Sequence, residues 1–283
     1  MFKKQTFNSG KNGKNILILG AVHGNEIAGT LAQQEIIQSI QQKKIKLKSG
    51  SVTFIPIVNE KAYKNDTRFV DINLNRVIKF HTQPINHEEL IATQLIHEID
   101  HVDVLLDLHS THCPDDKPFA FIDHPTKENL DFLKIIPVEI ALAGWPEIYR
   151  NNSHIENNCT EEYAYQKQKS ALTVECGYHK NKNSVQLAKQ SILNTLLHFD
   201  IIHGEKPVEY QKKIIHLNSF VIKKETGTFT KEYQHLDEIQ AHEPLAVYQS
   251  GETLFSPFSG FIIMPNKDAT IGTEWFYLGK ENK

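Results

Sequence analysis

The stretch Asn15-Ile-Leu-Ile-Leu-Gly-Ala-Val-His23-Gly-Asn-Glu26 sets the reading of the whole chain. Its apolar run, 15–20, reads as a buried strand. Beyond Glu26, the residues Ala28, Leu31, Ala32 and Ile36 recur at helical spacing and predict a helix with those four on one face. An imidazole and a carboxylate three residues apart therefore fall in a strand-to-helix turn. Gly24 suits a tight turn, and Asn25 is placed to cap the helix. Open α/β sheets bind ligands at the carboxyl ends of their strands, where this pair lies. A His and a Glu so placed suit two ligands of a Zn²⁺ ion, with a third to come from elsewhere and a fourth position open.

Further strand-like runs follow at Ser51–Asn59, Val102–His109, Phe119–Asp123 and Ala171–Glu175. Pro56 is awkward within the first and suggests an edge or a bulge. Residues 60–83 are polar, without a clear period, and read as a long functional loop. A helix begins after Asn86, its N-cap, with Glu89 completing a capping box and Ile91, Leu95 and Ile99 lining the buried face. Residues 125–143 look partly helical, 144–169 read as a polar loop, and 187–202 as a helix. From about Pro207 the pattern turns to short strand-like runs at 214–223, 244–249 and 258–264, punctuated by Gly227, Gly251, Gly260 and Gly272. The expected fold class is α/β: a mixed sheet flanked by helices in a first domain, 1–205, and a small C-terminal β domain, 206–283.

Three predicted strand ends carry polar groups: His23 with Glu26, His109, and Glu175. A lone strand-end histidine is more often a satisfied polar residue than a ligand. Together they meet a chemical need. His23, Glu26 and His109 make a His₂Glu set with an open position, as in catalytic zinc sites. Zinc at such a site lowers the pKa of water from 15.7 to about 7. Glu175 is then the carboxylate that accepts the proton and returns it to a leaving amine. The three arginines are Arg68, Arg76 and Arg150, against a background of lysine. Two of them share the 60–83 loop, and a guanidinium offers a rigid fork for carboxylates and oxyanions. Arg68 is the candidate for stabilising charge on a carbonyl oxygen, and Asn75 with Arg76 for holding a substrate carboxylate.

Composition narrows the classes. Lys and Arg total 31 against 34 Asp and Glu, so no nucleic-acid footprint is suggested. No apolar run reaches the roughly 18 residues of a membrane span. The start, Met1 to Phe7, lacks the apolar core of a signal peptide. Cys113, Cys159 and Cys176 are few, odd in number and far apart, which predicts reduced thiols in a cytoplasmic protein.

The ordered motifs His23-Gly-Asn-Glu26, Arg68, Asn75-Arg76, Asp107-Leu-His109 and Val174-Glu175 resemble those of the zinc carboxypeptidase superfamily. They are most similar to its succinylglutamate desuccinylase/aspartoacylase branch. The resemblance covers about residues 1–205, and a β tail is also typical of that branch. It implies a zinc-carboxypeptidase-like fold and one Zn²⁺ per chain on His23, Glu26 and His109. It also implies Glu175 as general base, Arg68 polarising the scissile carbonyl, and Asn75 with Arg76 binding the substrate carboxylate. The activity it implies is hydrolysis of an N-acyl amino acid or a similar small amide. The alternatives are a metallocarboxypeptidase acting on peptides and a zinc-retaining binding protein without catalysis. The partner expected is a small-molecule N-acyl amino acid, with no nucleic acid and no membrane; a homo-oligomer is left open. Two departures stand out. Asn73 replaces the Asp usual two residues before the motif's Asn, which removes a candidate orienting partner of Arg76. The stretch 159–173 lacks the Arg that aspartoacylases use for a second carboxylate, leaving Arg150, Lys167 or Lys169 to substitute. From the C-terminal domain, Tyr248 and Tyr277 are the candidates for a lid.

His97-Glu-Ile-Asp-His101 matches the HExxH pattern of zinc proteases. Both histidines, however, lie about half a turn from the buried Ile91–Leu95–Ile99 face and read as a solvated surface.

Overall fold

The computed structural model describes residues 2–114, 116–150 and 157–281. The part of the 144–169 stretch at 151–156 lies outside the described residues. In chain order the elements are β1 (Gln5–Asn8), β2 (Asn15–Gly20), α1 (Ala28–Gln41), β3 (Ser51–Ile55), α2 (Glu60–Lys64), α3 (His87–Asp100), β4 (Val104–Thr111), β5 (Phe119–Phe121), α4 (Lys127–Lys134), β6 (Ile140–Ala143), α5 (Trp145–Arg150), α6 (Thr160–Gln166), β7 (Ser170–Tyr178) and α7 (Lys182–His198). The strands β8 (Lys213–Ile222), β9 (Gly227–Phe229), β10 (Asp237–Ile239), β11 (Pro244–Tyr248), β12 (Thr253–Phe255), β13 (Gly260–Ile263) and β14 (Glu274–Glu281) complete the chain.

Among the described residues eleven strands join one mixed sheet in the order β1-β3-β2-β4-β7-β5-β6-β8-β14-β13-β10. Its centre, β3-β2-β4-β7, is parallel. Each parallel strand needs a crossover, and the helices that provide them cover both faces. Alternation along β2 shows the result. Ile16 and Ile18 pack with Ala28, Ala32 and Ile36 of α1 and Ile192 of α7. Leu17 and Leu19 pack with Ile91, Leu95 and Ile99 of α3. The expected fold class is therefore the observed one. β8 pairs in parallel with β6 and carries the sheet into the C-terminal segment. The remaining β12-β11-β9 form a small antiparallel sheet around Leu245, Tyr248 and Trp275.

The helix after Glu26 differs from expectation in two details. Its first residue is Ala28, with Ile27 at the cap position and no side-chain cap. Asn25 lies too far upstream to cap it, and its Oδ1 is buried without a partner. Leu31 is 38% exposed, because α1 docks through Ala28, Ala32 and Ile36. Gly24 is required by a close approach: a Cβ there would collide with the backbone of Ala62 and Tyr63 in α2. The cap of α3 is as expected, with Asn86 Oδ1 accepting from Glu89 N at 2.9 Å. The 60–83 and 144–169 stretches contain the helices α2, α5 and α6, which are too short to show a period. β3 ends at Ile55, just before Pro56.

Candidate functional site

Register brings the polar strand ends together. β2 and β4 pair so that Gly20 stands beside Leu108, which places the His23 turn next to His109. On the far side of β4, His109 pairs directly with Glu175 of β7, so both side chains leave the same face of the sheet. Phe119 of β5 flanks Glu175 from the other side.

The result is a compact buried group. His23 Nδ1 lies 2.9 Å from Glu26 Oε1, and His109 Nδ1 lies 2.8 Å from Glu26 Oε2. One ligand atom from each of the three residues falls within 4.8 Å of the others, and this set could hold a metal ion. The proton positions test the fit. Asn73 Oδ1 accepts from Asn75 N at 3.0 Å, which identifies it as the carbonyl oxygen. His23 Nε2, 3.0 Å away, must then donate to that oxygen. Burial, together with Arg68, lowers the His23 pKa to about 4, so its ring is neutral and Nδ1 is bare. Burial alone would raise the Glu26 pKa, but His23, His109 and Arg68 outweigh it and hold the carboxyl ionised. A neutral ring with its proton on Nε2 leaves a lone pair at Nδ1, 2.9 Å from Glu26 Oε1, free to share a cation with that carboxylate. The donor set suits Zn²⁺ or another divalent ion of similar preference.

The surrounding groups are specific. Asp107 Oδ2 stands 3.1 Å from His109 Nε2, off the line of a good hydrogen bond, and accepts from Thr160 Oγ1 at 2.6 Å. Burial would lower the His109 pKa, yet Asp107 and Glu26 raise it well above the usual imidazole value. Arg68 Nη1 donates to Glu26 Oε1 at 2.6 Å while half of its side chain remains exposed. Glu175 keeps some accessible surface, but its Oε2 is enclosed and unpartnered. Burial, then the charge of Glu26, pushes its pKa up to about 8.

Asn75 and Arg76 lie in the 3-10 turn Leu74–Arg76, capped by Asn73. Asn73 thus turns its oxygen to His23 and the turn. Arg76 is oriented by other groups: Nη2 donates to Tyr149 Oη at 3.3 Å and to Glu274 Oε1 at 3.4 Å. Tyr149 Oη also meets Tyr277 Oη at 2.8 Å and accepts from Trp145 Nε1 at 3.1 Å. Burial opposes the charge on Arg76, but Tyr149, Tyr277 and Glu274 outweigh it and raise the pKa. Glu274 was missed by sequence reasoning; the aromatic run Trp275-Phe-Tyr277 was the available sign of a strand beside it. Tyr277, a lid candidate by sequence, is instead buried beside Arg76 and hydrogen-bonded to Tyr149. Tyr248, the other candidate, is buried against Trp275 in the small sheet. Lys167 points to Asp100, 3.8 Å away, and Arg150 is exposed at the end of α5. His97 and His101 are exposed, as their helical position predicted.

Behind the site, Glu161 Oε1 accepts from Asp123 N at 3.2 Å. Asp123 Oδ1 in turn accepts from the backbone of Gly144 and Trp145, both at 3.0 Å. Burial raises both carboxyl pKa values, Asp123 to about 7, and repulsion from Asp123 raises Glu161 further. A folded-state pKa above the unfolded value means that the pair contributes stability at low pH. That contribution is lost as pH rises from about 4 towards 7. Glu161→Gln removes one of the two acids. It is expected to melt a few degrees above the parent chain at pH 8, with the gap closing at pH 5, as read by calorimetry.

Among the described residues, no helix is long and apolar enough to cross a membrane. Residues 12–195 match the family model of the succinylglutamate desuccinylase/aspartoacylase catalytic domain. Similar solved structures include a succinylglutamate desuccinylase/aspartoacylase from Rhodobacter sphaeroides, with TM-score 0.78, 18% identity, and coverage of 99% of this chain and 90% of that one. The product-bound ectoine utilization protein EutE (DoeB) from Ruegeria pomeroyi gives TM-score 0.77 at 20% identity, covering 98% of this chain and 88% of that one. A succinylglutamate desuccinylase from Vibrio cholerae gives 0.76 at 17% identity, with 96% and 82% covered. No curated protein matches the chain in sequence.

Proposed function

The chain belongs to the succinylglutamate desuccinylase/aspartoacylase family, and from that membership and the geometry of its site we propose that it is a zinc-dependent hydrolase of small N-acyl amino acids. The observation that carries this reading is the convergence of His23, Glu26 and His109 beside an unpartnered, elevated-pKa Glu175. In this reading the three residues hold one Zn²⁺ ion. When bound, that ion supplies a Lewis acid and makes water acidic enough to attack at neutral pH.

The chain's own groups do the rest. Glu175 takes the proton of the attacking water at its carboxylate and passes it to the departing nitrogen. Arg68, half-exposed at the mouth, leaves Glu26 to donate to the amide oxygen as negative charge builds on it. Asn75 and Arg76 hold the substrate carboxylate and so fix the amide relative to Glu175. Asp107 and Asn73 keep the His109 and His23 rings aimed inward. Residues 206–283 contribute to the far end of the site, since Glu274 and Tyr277 reach Arg76 and Tyr149. A reaction confined to a cytoplasmic compartment is consistent with the scattered cysteines.

The test is a screen of N-acyl amino acids for free-amine release by zinc-loaded protein, repeated after chelation and after zinc is restored. The expected result is turnover of a small N-acyl amino acid that disappears with chelation and returns with zinc. Turnover only of peptides, with release of a C-terminal residue, would replace this reading with a carboxypeptidase.

A further inference from the structure

Arg76 is the arginine assigned above to the substrate carboxylate, and it does not stand alone. Glu274, delivered by the first residue of β14, contacts the same guanidinium at 3.4 Å. Solvent reaches both ends of the pair: the side chains are 34% and 28% exposed. The walls are not free to rearrange. Tyr149 and Tyr277 are almost completely buried and hydrogen-bonded to each other, and Arg76 also sits over the Tyr149 ring, 5.4 Å from its centre. The substrate's distal end therefore meets one fixed cation and one fixed anion side by side.

Charge matching limits what can bind there. A carboxylate that pairs with Arg76 comes to rest beside the Glu274 carboxylate, and two like charges at that range repel. A second substrate carboxylate makes matters worse, because no further arginine is at hand: Arg68 is assigned to the amide oxygen, and Arg150 is exposed on α5. A ligand that carries a cation next to its carboxylate removes the conflict, since carboxylate and ammonium then pair with Arg76 and Glu274 respectively. The two protein charges touch each other, so the two ligand charges must also be adjacent. Adjacent carboxylate and ammonium are what a free α-amino acid head presents.

We propose that Arg76 and Glu274 together form a receptor for the zwitterionic α-amino acid head of the substrate, so that the acyl group removed is carried on a side-chain nitrogen. The substrate class is then an Nω-acyl diamino acid, and the product is the free diamino acid. This rests on the hydrolase reading above and specifies its substrate.

Nδ-acetylornithine and 5-acetamidopentanoate differ only in the α-ammonium group, and Nα-acetylornithine has that nitrogen blocked. On zinc-loaded protein, kcat/KM is expected to be at least about tenfold higher for Nδ-acetylornithine than for either analogue, as one charge-assisted hydrogen bond warrants. In Glu274→Gln the preference over 5-acetamidopentanoate is expected to collapse to about one, through KM. Equal rates for the two amides in the parent chain would overturn the proposal. So would an equal loss for both in Glu274→Gln, which would make Glu274 a mere support of Arg76. Binding of the products, read by calorimetry, keeps the two readings apart: ornithine is expected to bind more tightly than 5-aminopentanoate, and the difference to vanish in Glu274→Gln. That binding difference without hydrolysis of any N-acyl compound would sink the hydrolase and leave the receptor standing. Hydrolysis without the difference would do the reverse.

Discussion

Glu175→Gln is expected to retain bound metal and to lose hydrolysis by roughly 10²–10⁴-fold, the range for removing a general acid–base group. The substitution keeps the volume and the hydrogen-bonding outline of the side chain and deletes its ability to carry a proton. Glu175 Oε2 has no hydrogen-bond partner to lose, so the fold has little reason to respond. The loss should appear in kcat, because in the proposed mechanism the group acts on the reacting atoms and not on the substrate's distal end. Metal content and steady-state kinetics on the same preparation check this. The pH profile adds a second reading. Burial and Glu26 hold the carboxyl near 8 in the metal-free chain, where it is mostly protonated at neutral pH. A divalent cation beside it favours the ionised form and brings the pKa down. Activity of the loaded enzyme should therefore rise with pH along an acid limb set by Glu175. Turnover of the variant within a few-fold of the parent would remove Glu175 from the mechanism.

His109→Ala is expected to empty the metal site, whereas His97→Ala leaves it intact. His109 is buried and supplies one of three converging ligand atoms; His97 is exposed on α3. Loss of an outer partner of a metal ligand already costs about 10–100-fold in affinity, so loss of the ligand itself should exceed that. Elemental analysis is expected to find about one zinc per chain in the parent and in His97→Ala and almost none in His109→Ala. Zinc should raise the melting temperature of the first two only, since binding to the native state alone stabilises it. Retention of zinc in His109→Ala with loss in His97→Ala would transfer the site to the α3 surface.

Much of this was legible in the sequence because the relevant signals are local. A polar residue at the end of an apolar run is visible, and a parallel sheet places such ends along one edge. His23, Glu26, His109 and Glu175 were readable in that way, and register then set His109 beside Glu175. The face of α3 was readable from its period, which is why His97 and His101 could be set aside. Other expectations failed for local reasons. Asn25 is a good capping type in the wrong place: α1 starts at Ala28, with Ile27 at the cap position. Leu31 fitted the helical period, but α1 docks through Ala28, Ala32 and Ile36 and leaves it at the edge of the buried face. The helices α5 and α6 went unseen because they are only six and seven residues long, too short to show a period; at the start of α6 a cysteine, Cys159, stands where a Ser or Asp would have signalled a cap.

By itself the sequence determined that a strand, a tight turn and a helix would carry a histidine and a glutamate to the edge of a mixed sheet, and that a second histidine and a second acid would lie towards the carboxyl ends of other strands. These follow from spacings of a few residues, where backbone geometry translates pattern into position. Only the tertiary structure decided what surrounds them. Asn73 faces His23, and Arg76 is held by Tyr149 and by Glu274, which is 198 residues away in the chain. Contacts of that range depend on how β8 and β14 extend the sheet and where β14 begins. They result from the packing of whole elements, and no periodicity near either residue encodes them.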